Sequence, residues 1–115
     1  MVIVKPYFMK RLKNLCFIGC GKTSLAHAKV AKYLGSSIKF VFTRNFKSKN
    51  FLRFSKYFPG VQKLKNLKNL DQLNIDGIIV AIPWTLNDLY IDKFFKNLKK
   101  PILFEKPVGY SNKKI

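Results

Sequence analysis

Apolar residues in this chain come in short blocks separated by turn formers, and the spacing inside the blocks alternates between two periods. Leu15-Cys16-Phe17-Ile18 is apolar throughout and stops at Gly19, which predicts a buried strand over 15–18. Over 23–34, Ala26, Val30, Tyr33 and Leu34 fall on one face of a helix that Gly35 ends. Ile38-Lys39-Phe40-Val41-Phe42 is rich in strand formers and predicts a second strand over 38–42. Phe51, Phe54 and Phe58 share a helical face, read as core and not as a stacking platform for bases, and Pro59-Gly60 stops that helix. Residues 61–64 read as a short edge strand, and Leu67, Leu70 and Leu73 as a brief helical turn before Asp76-Gly77. Ile78-Ile79-Val80-Ala81-Ile82 is apolar at every position, the mark of a strand covered on both faces in a parallel sheet. A helix over 86–98, with Leu86, Tyr90, Ile91, Phe94 and Leu98 inward, leads to Pro101 and a last strand over 102–104.

Strands alternating with helices require right-handed crossovers and a parallel sheet with helices on both faces. The predicted fold class is therefore α/β, a Rossmann-like doubly wound parallel sheet. Ligands of such sheets bind beyond the carboxyl ends of the strands, where the strand order switches direction. The segments of interest are then 19–24, 43–45, 83–87 and 105–107. Residues 1–13, with Lys5, Lys10, Arg11 and Lys13 around Pro6 and Tyr7, are expected to be a flexible basic arm. Residues 14–115 form the α/β domain.

At 115 residues the chain is one domain at most. It has no apolar run near the ~20 residues of a membrane span, and Val2-Ile3-Val4 is too short for a secretory signal. Cys16 and Cys20 lack the paired spacing of a zinc site or a disulfide framework. They read as reduced, buried thiols, with no metal site, in a cytoplasmic protein. Charge changes the picture more. Lys and Arg number 23 against 5 Asp and Glu, a net +18, and no acid precedes Asp71. Such a balance favours polyanions, so the alternative reading is a basic nucleic-acid or anionic-surface binding protein without enzymatic activity. The lysines are nevertheless spread along the whole chain, alongside many Asn, Ile and Phe, a bias that AT-rich codons alone produce. No recognisable nucleic-acid module accompanies them, and nucleic acid is not expected as the main partner.

The chemistry concentrates at the first turn, Gly19-Cys20-Gly21-Lys22-Thr23-Ser24. Gly19 permits a turn that no β-carbon would fit, and Gly21 lets a backbone approach a ligand closely. Ser24 replaces the third glycine of the dinucleotide fingerprint with a residue still small enough for close helix–strand packing. The unpaired N–H groups opening the next helix favour an anion such as a phosphate. Gly21-Lys22-Thr23 nearly completes a P-loop, but that motif needs glycine where Cys16 stands. The buried strand 78–82 also runs into Pro83, not into an aspartate for magnesium, so a nucleotide hydrolase ranks last. A dinucleotide site commonly has an acid at the end of its second strand; here the residues are Thr43-Arg44-Asn45. A guanidinium would pair with a 2′-phosphate, which favours NADP over NAD, although a solvated surface arginine fits Arg44 equally. His27 reads as a packing or capping group. Pro83 turns the chain across the pocket mouth. Glu105-Lys106-Pro107 follows the last strand, where a lysine can hold a substrate oxygen or relay a proton.

Three stretches together resemble the glucose–fructose oxidoreductase and inositol dehydrogenase family, also called Gfo/Idh/MocA. They are the first turn with His27, the strand from Asp76 to Pro83, and Ile102-Leu103-Phe104-Glu105-Lys106-Pro107-Val108. Order and spacing match over residues 14–108, with Glu105-Lys106-Pro107 the most specific mark. The resemblance implies that Gly19, Gly21 and Ser24 line a pyrophosphate and that Pro83 borders the nicotinamide. It implies Glu105 beside the cofactor and makes Lys106 the catalytic candidate, positioning or protonating a sugar or polyol substrate. Departures accompany it. Asn87 stands where members commonly carry histidine, and the ribose acid is missing. The chain is expected to end before the domain's last helix and strand and to lack the substrate domain. It would then be the NAD(P)-binding portion of such an oxidoreductase, not catalytic alone, with a separate chain as the potential source of the substrate domain.

Overall fold

The computed structural model describes residues 2–3 and 13–104. Six strands and three helices follow one another as β1 (Val2–Ile3), β2 (Asn14–Ile18), α1 (Lys22–Tyr33), β3 (Ser37–Phe42), α2 (Lys49–Tyr57), β4 (Gln62–Lys63), β5 (Gly77–Val80), α3 (Asn87–Tyr90) and β6 (Ile102–Phe104). They build one sheet in the order β1-β6-β5-β2-β3-β4. From β4 to β6 all neighbours are parallel. The order reverses at β2: the chain steps one way to β3 and β4, then crosses over to β5 and β6. This is the doubly wound α/β arrangement that the alternating pattern predicts, with its switch point between β2 and β5.

The sheet divides the interior in two because successive residues of a strand face opposite sides. Leu15, Phe17, Val41, Ile79 and Leu103 point to α1 and α2, where they meet Leu25, Ala28, Phe51, Phe54 and Phe58. Cys16, Ile18, Ile78, Val80, Ile102 and Phe104 face Leu67, Leu70, Ile75, Tyr90 and Phe95 on the other side. Every residue of β5 is buried, as its uniformly apolar sequence requires. The phenylalanine face of α2 is core as expected, and Ser48 caps that helix by accepting from the Phe51 amide at 3.1 Å.

Two helical expectations need correction. In α1 the residues turned to the sheet are Ser24, Leu25 and Ala28, while Val30, Tyr33 and Leu34 are exposed. Ala26 is exposed as well. The glycine turn sets α1 against β2 so that Ser24, Leu25 and Ala28 face the sheet, which leaves Val30, Tyr33 and Leu34 outside. The expected helix over 86–98 keeps its inner face, for Tyr90 is buried and Leu86, Ile91, Phe94 and Leu98 pack against the same core, but its geometry is irregular. A 3₁₀ turn (Trp84–Leu86) leads into the four-residue α3, and a π turn covers Ile91–Phe95. The extra residue in that turn brings Tyr90 and Phe95, five apart, to the same buried side.

The ends of the sheet are tied by polar contacts. Asp76 Oδ2 accepts from the amides of Lys13 (3.1 Å) and Asn14 (2.8 Å), fixing the start of β2 beside that of β5. Lys100 Nζ donates to the carbonyls of Leu73 (2.6 Å) and Ile75 (3.0 Å) ahead of β6. Within the expected basic arm, Val2 and Ile3 form a strand antiparallel to β6, pairing with Phe104 and Leu103. Residues 4–12 lie outside the described residues. Among the described residues no helix is long and apolar enough to cross a membrane.

Candidate functional site

A cleft of about 390 Å³ opens above the carboxyl ends of β2, β3 and β5, the position that the switch in strand order dictates. One wall is polar and comes from the end of β3 and the start of α2: Thr43, Arg44, Asn45, Ser48 and Asn50. The other is largely apolar, from Ile82, Pro83, Leu86 and Tyr90. Gly19, Cys20 and Gly21 form the floor between them.

The two glycines serve different ends. Gly19 has φ +97°, a left-handed conformation, and a β-carbon built there would stand 2.3 Å from the Ala81 carbonyl oxygen. Its amide donates to the Phe42 carbonyl at 2.8 Å, so the turn is locked between β5 and β3. Gly21 has an ordinary φ of −72°. A β-carbon there would meet only Asn50 Nδ2, at 4.0 Å. Among the described residues nothing crowds position 21, so the absence of a side chain there leaves the backbone open to a ligand. Gly21 is also the N-cap of α1, and the first intrahelical bond runs from the Leu25 amide to its carbonyl at 2.9 Å. The amides of Lys22, Thr23 and Ser24 precede that bond and open toward the same space. Backbone donors, the helix dipole and a floor free of side chains suit a pyrophosphate.

Of the residues singled out in the sequence, Gly19, Cys20, Gly21, Thr43, Arg44 and Pro83 line this one cleft. Lys22 and Thr23 are exposed on the first turn of α1. Ser24 allows the close helix–strand packing expected of it: it is wholly buried beneath the turn, and its hydroxyl donates to the Gly19 carbonyl at 2.6 Å. It braces the turn from below. Cys20 contributes backbone, for its side chain is buried and hydrogen-bonded to the Thr43 and Ser48 hydroxyls. Burial pushes that thiol's pKa up, with the two hydroxyls opposing. Arg44 and Asn45 are exposed at the rim, and no carboxylate is among the described lining residues. His27 is half-buried on α1 and outside the lining. Glu105 and Lys106 lie outside the described residues, as does Pro107. Sequence reasoning missed Ser48 and Asn50; the signal for the first was its place as a capping serine three residues before Phe51. Among the described residues no group of three His, Cys, Asp or Glu could hold a metal.

Comparison with known proteins agrees with this geometry. The model of the GFO_IDH_MocA oxidoreductase family, NAD-binding Rossmann fold, matches residues 13–114. The fold superposes on myo-inositol dehydrogenase from Lactobacillus casei, solved with NAD(H) and myo-inositol, with TM-score 0.69 and 19% identity over 85% of this chain. Myo-inositol 2-dehydrogenase from Lactobacillus plantarum gives TM-score 0.66 and 25% identity over 89% of this chain. A structure from Desulfitobacterium hafniense described as an NADPH-dependent oxidoreductase gives TM-score 0.70 and 17% identity over 90% of this chain. This chain spans 29%, 30% and 29% of those three chains, in that order. No curated protein sequence matches it.

Proposed function

The chain belongs to the Gfo/Idh/MocA oxidoreductase family, and from that premise we propose that its cleft binds a nicotinamide dinucleotide, NADP in preference to NAD. The single observation behind this reading is the pair Gly19 and Gly21: the first forced by a left-handed turn against Ala81, the second leaving open backbone at the floor of the cleft. The pyrophosphate is held by the backbone of 19–21 and the opening amides of α1, with Lys22 and Thr23 beside it. The adenosine end lies toward Thr43 and Arg44, and the nicotinamide toward Pro83. Arg44 with no neighbouring described carboxylate supports the 2′-phosphate, since a guanidinium pairs with phosphate where an acid would repel it. Bound there, the dinucleotide supplies hydride chemistry.

The substrate is of sugar or polyol type, and the residues that enclose it come from outside these 115, from a separate chain or domain. Lys106 follows β6 by two residues, and β6 runs parallel to β5, so its carboxyl end is at the cleft side of the sheet. In this reading Lys106 positions or protonates the substrate oxygen and Glu105 lies beside the cofactor. Residues 1–115 alone then bind cofactor without turning substrate over.

A fluorescence titration with NADPH tests the proposal. Saturable binding is expected, and Arg44→Asp should weaken NADPH by about 10- to 100-fold, the worth of a charged hydrogen bond, while sparing NADH. No saturable binding at millimolar cofactor would overturn the site. Equal losses for both cofactors would overturn the preference for NADP.

A further inference from the structure

Two lysines and two tyrosines meet on one outer face of the fold. All five acids, Asp71, Asp76, Asp88, Asp92 and Glu105, come at position 71 or later. The two helices that share one side of the sheet, α1 and α2, therefore carry no carboxylate anywhere. Between their outer surfaces lies a shallow hollow of about 410 Å³, lined by Lys29, Lys32, Tyr33, Tyr57 and Phe58. Lys29 Nζ stands 3.8 Å from the centroid of the Tyr57 ring, and Lys32 Nζ 5.6 Å from that of Phe58. Tyr33 is 89% exposed and Tyr57 49%. Tyr33 contributes almost none of its ring to the core, and none of these residues lines the dinucleotide cleft.

We propose that this α1–α2 face binds single-stranded nucleic acid. Lys29 and Lys32 line the hollow as cations for backbone phosphates. The exposed ring of Tyr33 and the half-exposed ring of Tyr57, which Lys29 covers on one side, offer aromatic surface to unpaired bases. Cations set beside aromatic rings are the pairing such grooves use. A duplex keeps its bases stacked inside and has no use for the exposed rings. An acidic peptide would be drawn by the lysines but not by the tyrosines. The site is independent of the dinucleotide reading.

Fluorescence anisotropy with labelled oligothymidylate and oligouridylate, read against salt on the full chain, tests this. Tyr33→Ala and Tyr57→Ala leave the net charge at +18, and each is expected to weaken binding about fivefold or more at an unchanged salt slope. Lys29→Gln with Lys32→Gln should instead flatten the slope of log affinity against log salt by about 1.4. Circular dichroism and melting checks that each variant is folded; Tyr33→Phe and Tyr57→Phe, which keep the rings, should bind as wild type. Binding that ignores both tyrosines would overturn the proposal, leaving general attraction to a cationic chain. So would equal, tyrosine-dependent binding of duplex DNA, polyglutamate or anionic phosphatidylserine vesicles.

Discussion

Replacing Gly19 by alanine puts a β-carbon where the backbone of the neighbouring strand already is. The residue sits at φ +97°, and the new atom would be 2.3 Å from the Ala81 oxygen and 2.9 Å from its carbonyl carbon. Left-handed backbone costs an L-residue roughly 1–2 kcal/mol. The collision is with backbone, so no rotamer relieves it. The end of β2 must move off β5, straining the Ala81 amide bond to the Ile18 carbonyl (2.9 Å) and the Gly19 amide bond to the Phe42 carbonyl (2.8 Å). Overpacking of that kind adds about 1–3 kcal/mol. The expected loss is therefore about 2–5 kcal/mol, a large part of the ~5–15 kcal/mol that holds a domain folded. Gly21→Ala is the matched control. Its φ is −72° and the nearest atom 4.0 Å away. A small capping loss and the stiffer unfolded chain offset each other to within about 1 kcal/mol. Denaturant unfolding followed by circular dichroism should show a lowered midpoint for Gly19→Ala at unchanged slope and little shift for Gly21→Ala. NADPH titration should show the reverse order, with Gly21→Ala folded but poor at binding. A Gly19→Ala protein as stable as the parent, or a Gly21→Ala protein equally destabilised, would refute the division of labour between the two glycines.

Two further outcomes follow from the same region and from the core beneath it. Ser24→Ala removes the donor that satisfies the Gly19 carbonyl at 2.6 Å, and should cost about 1–3 kcal/mol in the same unfolding assay. Cys16 bears on alkaline stability: burial, opposed in part by Lys100, pushes its pKa from 9.0 up to about 12. The thiol is harder to ionise when folded, so its stabilising contribution is complete below pH 9.0 and is lost as pH rises to about 12. Over that window Cys16→Ala should fall less steeply with pH than the parent, by up to about 1.4 kcal/mol per pH unit. Equal slopes in urea melts would show that the thiol does not titrate on unfolding there.

The sheet was legible because its strands are short apolar runs bounded by glycine and proline, and β5 could be read as central from its sequence alone. The floor of the cleft was legible for the same reason, as the strand end Ile18 and the turn Gly19-Cys20-Gly21 adjoin. The inner face of α1 was not, because hydrophobicity ranks Tyr33 and Leu34 above Ser24 and Ala28. The phase in which the glycine turn launches the helix overrides that ranking, and it turns Ser24, Leu25 and Ala28 to the sheet. The irregular geometry after Leu86 was hidden likewise: Leu86, Tyr90 and Phe94 keep a helical rhythm and do pack on the core, and the π turn over Ile91–Phe95 adds Phe95 to them. Asn50 entered the cleft wall without a signal, since its neighbourhood to Gly21 is created by the crossover and not by spacing.

The strand order also sets a schedule for a chain emerging from the ribosome. β2 finds β3 almost at once, but its other edge must wait for β5, some sixty positions later, and β1 can dock only after β6 is made. During that interval Cys16, Phe17 and Ile18 present a bare apolar strand margin to whatever is nearby. The interval between the synthesis of β4 and that of β5 is thus when this margin stays uncovered.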